Sequence, residues 1–116
     1  MRLQTLKSLL AALGSGLLLA ASAAAQAADP GVSDSTITLG MSAPFTGPNG
    51  AYGKDMKEGA LAYFAQLNAA GGIGGKKIEL LALDDGYETE KTVANTRKLI
   101  NESKVFALMA YYGSSP

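Results

Sequence analysis

Hydrophobic and polar positions change rhythm several times along this chain, and each rhythm predicts an element. Ile37 and Leu39 alternate with Thr36 and Thr38, the two-residue period of a half-buried strand. That strand should stop at Pro44, which has no N–H to give to a ladder. Gly47, Pro48, Asn49 and Gly50 then supply a turn-forming loop. From Tyr52 to about Ala70, Met56, Ala60, Tyr63 or Phe64, and Leu67 recur at steps of three and four, the stripe of an amphipathic helix. Lys54, Lys57, Glu58 and Gln66 fall mostly off the stripe. Gly71-Gly72 should end this helix with a left-handed cap.

After a tight turn at Gly74-Gly75-Lys76-Lys77, Ile78 to Leu83 is almost continuously apolar, which suits a parallel strand covered on both faces. Asp84-Asp85-Gly86-Tyr87 closes it. Glu88 or Thr89 begins a second helix reaching about Ser103, with Val93, Thr96 and Ile100 expected on its inner face. Val105 to Tyr111 is the third strand, and by strand alternation one of Tyr111 and Tyr112 should point into the core and the other outward. Asp29 to Ser35, holding Pro30 and Gly31, reads as a lead-in.

The order β-α-β-α-β with helical crossovers implies a parallel, right-handed, Rossmann-like α/β sheet. With spatial order 2-1-3, the direction of winding switches between strands one and three. The crevice outside their carboxyl ends would then hold the Phe45–Tyr52 and Gly113–Pro116 loops side by side, the usual ligand position in an open α/β sheet.

Residues 1–27 form a different pattern. Arg2 and Lys7 precede an apolar and small-residue run from Ser8 to Ala25, and Ala25-Gln26-Ala27 fits a small-x-small cleavage site. A cleaved export signal, cut between Ala27 and Ala28, is preferred over a membrane anchor because Ala, Gly14, Ser15 and Gly16 keep the run mildly hydrophobic. No Cys at the cut excludes lipid attachment there. In a Gram-negative source the product would be periplasmic. Beyond the cut stand eight Lys+Arg and ten Asp+Glu with no basic cluster, which argues against a nucleic-acid partner. The chain has no Cys and no His, which removes disulfides, thiolate and imidazole chemistry and the common zinc sites.

Candidate chemistry is sparse. A phosphate loop ending at Gly53-Lys54 would need Gly at 48 and Ser or Thr at 55, where Pro48 and Asp55 stand. The dinucleotide fingerprint ending at Gly53 fails at the same proline. Gly71 to Gly75 precedes a strand, the wrong context for either. No cofactor is implied. Asp84-Asp85 suits a metal pair or a catalytic dyad in principle, but with no further ligand cluster they read as strand-end carboxylates facing water or backbone amides. Gly113-Ser114-Ser115 offers hydroxyls and free N–H groups at a strand end, suited to an anion such as a carboxylate or equally to a helix N-cap.

The run Ile37–Pro44, Thr46-Gly47, Ala51-Tyr52-Gly53, the segment Asn68-Ala69-Ala70-Gly71-Gly72-Ile73-Gly74-Gly75-Lys76-Lys77-Ile78-Glu79, Asp84-Asp85 and Lys98-Leu99-Ile100 together resemble the leucine/isoleucine/valine-binding protein family. These are the type I periplasmic substrate-binding proteins of branched-chain amino acid ABC transporters. The resemblance implies non-catalytic capture of a small ligand between two α/β lobes that close like a hinge. It also implies a role for Ser114, with Ser115 as neighbour and Gly113 before it, in holding the ligand's carboxylate through hydroxyl and N–H groups. Tyr52 occupies the position of the tyrosine that contacts the ligand from the first loop, and Ala110 stands where relatives often have Gly.

Family members are several times longer, so residues 28–116 are expected to form an N-terminal part of the first lobe, without the second lobe. The function expected is that of a periplasmic solute-binding component of an ABC importer, taking an amino acid-like ligand and delivering it to a membrane permease. The alternatives are a sensory receptor domain of the same fold, a truncated product without binding activity, and an exported enzyme using Asp84 and Asp85.

Overall fold

The computed structural model describes residues 28–114; residues 1–27, where an export signal is expected, and Ser115 and Pro116 lie outside the described residues. Strand β1 (Thr36–Ala43) is followed by helix α1 (Gly50–Ala69), β2 (Lys77–Asp84), helix α2 (Thr89–Arg97) with a π-helical turn at Lys98–Glu102, and β3 (Ala107–Leu108). The sheet order is β2-β1-β3 and both pairings are parallel. Thr36 pairs with Lys77 and Ala43 with Asp84, while Leu39 and Gly40 pair with Ala107 and Leu108. This is the expected 2-1-3 sheet, with β1 central and the winding reversed at its carboxyl end.

Alternation along β1 sorts its side chains onto the two faces. Ile37 and Leu39 lie on the α1 side, where they line an apolar trough of about 470 Å³ with Phe64, Leu67, Ile78 and Phe106. Gly40 and Ser42 lie on the α2 side. A methyl group at Gly40 would come within 3.0–3.2 Å of Val105, Leu108 and Leu99, so α2 and the segment after it close down on bare backbone. Met41, Ala43 and Leu99 are fully buried.

Helix α1 begins at Gly50, two residues before the expected start. Gly53 explains how its first turn can sit on the end of β1. A Cβ there would stand 1.8 Å from the carbonyl oxygen of Pro44, so any side chain would lift the helix away. Of the two stripe candidates, Phe64 is half-buried and Tyr63 is 63% exposed. The helix ends as the double glycine predicts: Gly72, at φ +73°, gives its N–H to Leu67 O at 2.9 Å. Just before that end, the Asn68 amide pairs with both backbone groups of Ile78, accepting its N–H at 2.8 Å and donating to its C=O at 2.9 Å. The most specific motif in the sequence thus caps the outer edge of β2, where unpaired backbone would otherwise be exposed.

Two expectations are corrected. The inner face of α2 is not Val93 and Ile100, which are 45% and 49% exposed, but Thr92, half-buried Asn95 and Thr96, and Leu99. Polar side chains with hydrogen-bond work to do take the inward positions, so the hydrophobic stripe gives the wrong phase. The third strand is two residues long, not the span 105–111. Its ladder is extended on either side by Phe106 N–H to Thr38 O and Met109 N–H to Gly40 O, both 2.8 Å. Ala110 then adopts φ +54°, leaving the extended conformation, and Tyr111 and Tyr112 depart from the sheet.

Candidate functional site

The carboxyl end of the sheet is organised by the last residue of β2 and the one after it. Asp84 faces the loop that leaves β1. Its Oδ1 accepts the N–H groups of Phe45 (2.7 Å) and Gly86 (3.0 Å), and its Oδ2 accepts the hydroxyl of Thr46 (2.6 Å). Loss of hydration is the largest single influence on this carboxyl and opposes ionisation. The hydroxyl of Thr46 and the amides of Phe45, Gly86 and Thr46 together outweigh it, and hold Asp84 below the usual carboxylate range. Lys57 Nζ lies 4.6 Å from the centroid of the Phe45 ring, a further hold on the same loop.

Asp85 points the other way and is fully buried. It accepts the Ser42 hydroxyl at 2.8 Å and the N–H of Tyr87 at 2.9 Å. The Asn95 amide donates to Ser42 Oγ (3.2 Å) and to the carbonyl of Asp84 (3.0 Å), which ties α2 to the same corner. No buried side-chain nitrogen or oxygen among the described residues lacks a partner. At the mouth of this turn Lys91 bonds Glu88 at 2.7 Å, and that hydrogen bond and its charge raise the Lys91 pKa. The two carboxylates are therefore strand-end and turn acceptors, and no cluster of three metal-ligating side chains occurs among the described residues.

Three tyrosines from three connections meet above this corner. Tyr52, in the first turn of α1, stacks on Tyr112 with ring centroids 5.1 Å apart and planes 13° from parallel. Tyr87, from the turn after β2, packs against the other tyrosine's ring at 6.0 Å and 48°. Tyr87 stands at φ +68°, an unusual conformation for a bulky residue, with its N–H donating to the Asp85 carboxylate. Tyr111 turns away and shares a 2.8 Å hydrogen bond with Thr96 of α2. The expectation that one of Tyr111 and Tyr112 enters the core is not met: the chain leaves the sheet at Ala110, Tyr111 is 38% exposed, and Tyr112 is half-buried against Tyr52 and Tyr87.

Of the residues singled out from sequence, Tyr52 is 55% exposed and its loop meets the segment after β3 through Tyr112. Gly113, at φ +136°, and Ser114, exposed in a bend, follow directly. Tyr87 and Tyr112 escaped the sequence reading. The only signal for them was an aromatic residue in each strand-end loop, which the 2-1-3 order brings together.

A family model described as periplasmic binding protein matches residues 36–116. The chain is 34% identical over 91 residues to the leucine-, isoleucine-, valine-, threonine-, and alanine-binding protein of Pseudomonas aeruginosa, a match covering 78% of this chain and 24% of that protein. Among solved structures, an extracellular ligand-binding receptor from Verminephrobacter eiseniae superposes with a TM-score of 0.66 and 40% identity, covering 70% of this chain and 22% of the receptor. The branched-chain amino acid transporter substrate-binding protein of Streptococcus pneumoniae, in complex with isoleucine, gives 0.62 and 37%, covering 65% of this chain and 22% of that one. The chain spans roughly a fifth to a quarter of the length of such relatives.

Proposed function

Because the chain belongs to the periplasmic binding protein family, we propose that it provides the ligand-facing part of the first lobe of an ABC importer's solute-binding component. The ligand is a small amino acid, a branched-chain one in keeping with the names of its relatives. The observation that supports this most is the stacking of Tyr52 on Tyr112. It joins the loop after β1 to the segment leading into Gly113 and Ser114 at one rim of the sheet. In this reading Ser114, Ser115 and the N–H groups from Gly113 onward hold the ligand's carboxylate, and Tyr52 covers its side chain. Capture is non-covalent and the protein is not an enzyme. It works in the periplasm after cleavage between Ala27 and Ala28, and hands its ligand to a membrane permease.

The test is a chimera in which residues 36–114 replace the matching part of the Verminephrobacter eiseniae receptor, titrated calorimetrically with leucine, isoleucine and valine. Binding that is lost in Ser114→Ala supports the reading. No heat with any amino acid, amide or aromatic acid overturns it. The chain by itself should bind weakly or not at all, since one lobe offers only part of the contacts. N-terminal sequencing of exported protein, beginning at Ala28, checks the site of cleavage.

A further inference from the structure

The capture reading uses Tyr52 but leaves open what holds it in place before a ligand arrives. Tyr52 lies in the first turn of α1, and α1 has no side-chain cap on its first amides. In the preceding loop Pro44 is buried and Phe45 half-buried under Lys57, while Thr46, Gly47 and Pro48 are exposed. The loop also meets the carboxylate of Asp84, arriving from the neighbouring strand some 38 residues along the chain and taking both Phe45 N–H and the Thr46 hydroxyl. The same oxygen that takes Phe45 takes Gly86 N–H, in the turn carrying Tyr87. One side chain thus registers the two loops whose tyrosines flank Tyr112.

We propose that Asp84 is a positioning residue of the ligand site, acting through Phe45 and Thr46 to hold Tyr52 stacked on Tyr112 in the empty protein. Pre-setting a contact surface removes an ordering cost from the binding step, so such a latch raises affinity without touching ligand. The requirement is for an acceptor that serves two amides at one atom and meets a hydroxyl at the other. A carboxylate does this. An amide does it as well: Asn at this position keeps its oxygen for Phe45 and Gly86, and its NH₂ donates to Thr46 Oγ, since a hydroxyl both donates and accepts. Alanine offers neither atom. Among charged neighbours, Lys91 interacts with Asp84 through its charge and is itself paired with Glu88.

This role rests on the capture reading for its purpose, but its test uses no ligand, so the two fail separately. Near-UV circular dichroism of the full chain reports the coupled tyrosine rings, and Tyr112→Leu assigns the part that comes from the stack. The expected result is loss of that part in Asp84→Ala, partial loss in Thr46→Val and retention in Asp84→Asn, with the far-UV helix signal unchanged in all three. A folded Asp84→Ala variant with the full stacked-ring signal overturns the proposal. Should Asp84→Ala not fold, Thr46→Val decides, because Thr46 is exposed; an unchanged ring signal there overturns the proposal equally.

Discussion

The carboxyl rim of the sheet and the flank beneath α1 are built on different principles. On the flank, Ile37, Leu39, Ile78, Phe64 and Leu67 line an apolar trough. Apolar contact is non-directional, and any side chain of similar size and polarity serves. At the rim, Ser42, Asp84, Asp85 and Asn95 are joined by hydrogen bonds of 2.6–3.2 Å, and their partners are individual backbone amides and hydroxyls. A buried polar network tolerates little change, because a lost partner leaves a desolvated group unpaired. The flank gives the lobe its stability; the rim fixes where three loops go.

This contrast is sharpened by substitutions followed by urea unfolding of the full chain. Met41, fully buried in the central strand, belongs to the hydrophobic account, and Met41→Ala should cost about 2–5 kcal/mol. Gly53→Ala comes next. Its methyl meets the Pro44 carbonyl, and the overpacking should cost about 1–3 kcal/mol. Asp85→Ala strands the Ser42 hydroxyl and Tyr87 N–H, for about 1–3 kcal/mol, and in addition should release Tyr87 from Tyr112. A loss of stability with the Tyr87 contact intact would break the claim that the rim specifies loop position. Lys54→Ala, at an exposed position of α1, should change stability by no more than about 0.5 kcal/mol.

Acid has the smallest effect. Asp84 has a folded-state pKa below its unfolded value, so its contribution is complete above the unfolded carboxylate value of about 3.9 and is lost as pH falls through the lower folded one. Stability of the wild type should therefore fall on acidification below that point more than stability of Asp84→Asn. Equal acid sensitivity in the two proteins would contradict the assignment. The side chain is well exposed, so solvent screening keeps the difference small.

Legibility in the sequence followed the same division. Strand β1 with its stop at Pro44, helix α1 with its double-glycine end, and the 2-1-3 order all rest on period, proline and glycine, which local sequence carries. The inward phase of α2 did not, because Asn95 faces the sheet to bond Ser42 and the carbonyl of Asp84, Thr92 is buried one turn before it, and a hydrophobic count ranks both as surface. The early end of β3 depends on a positive φ at Ala110, which an alanine does not announce. At the site, Ser114 was singled out by hydroxyls and N–H groups at a strand end, and its role and that of Tyr52 came through resemblance to a family. Tyr87 and Tyr112 acquire meaning only when segments about 25 to 60 residues apart in sequence, a separation that local patterns do not reach, close on one another.

Everything proposed for this chain depends on two connections, one after β1 and one after β3, arriving at the same rim. The most direct measurement is the nuclear Overhauser effect between the ring protons of Tyr52 and Tyr112 in the full chain without ligand. Strong cross-peaks between the two rings are the expected result, at a centroid separation of 5.1 Å. Their absence, in a protein whose β1–β2 and β1–β3 backbone contacts are present, would place the two loops apart and contradict the site.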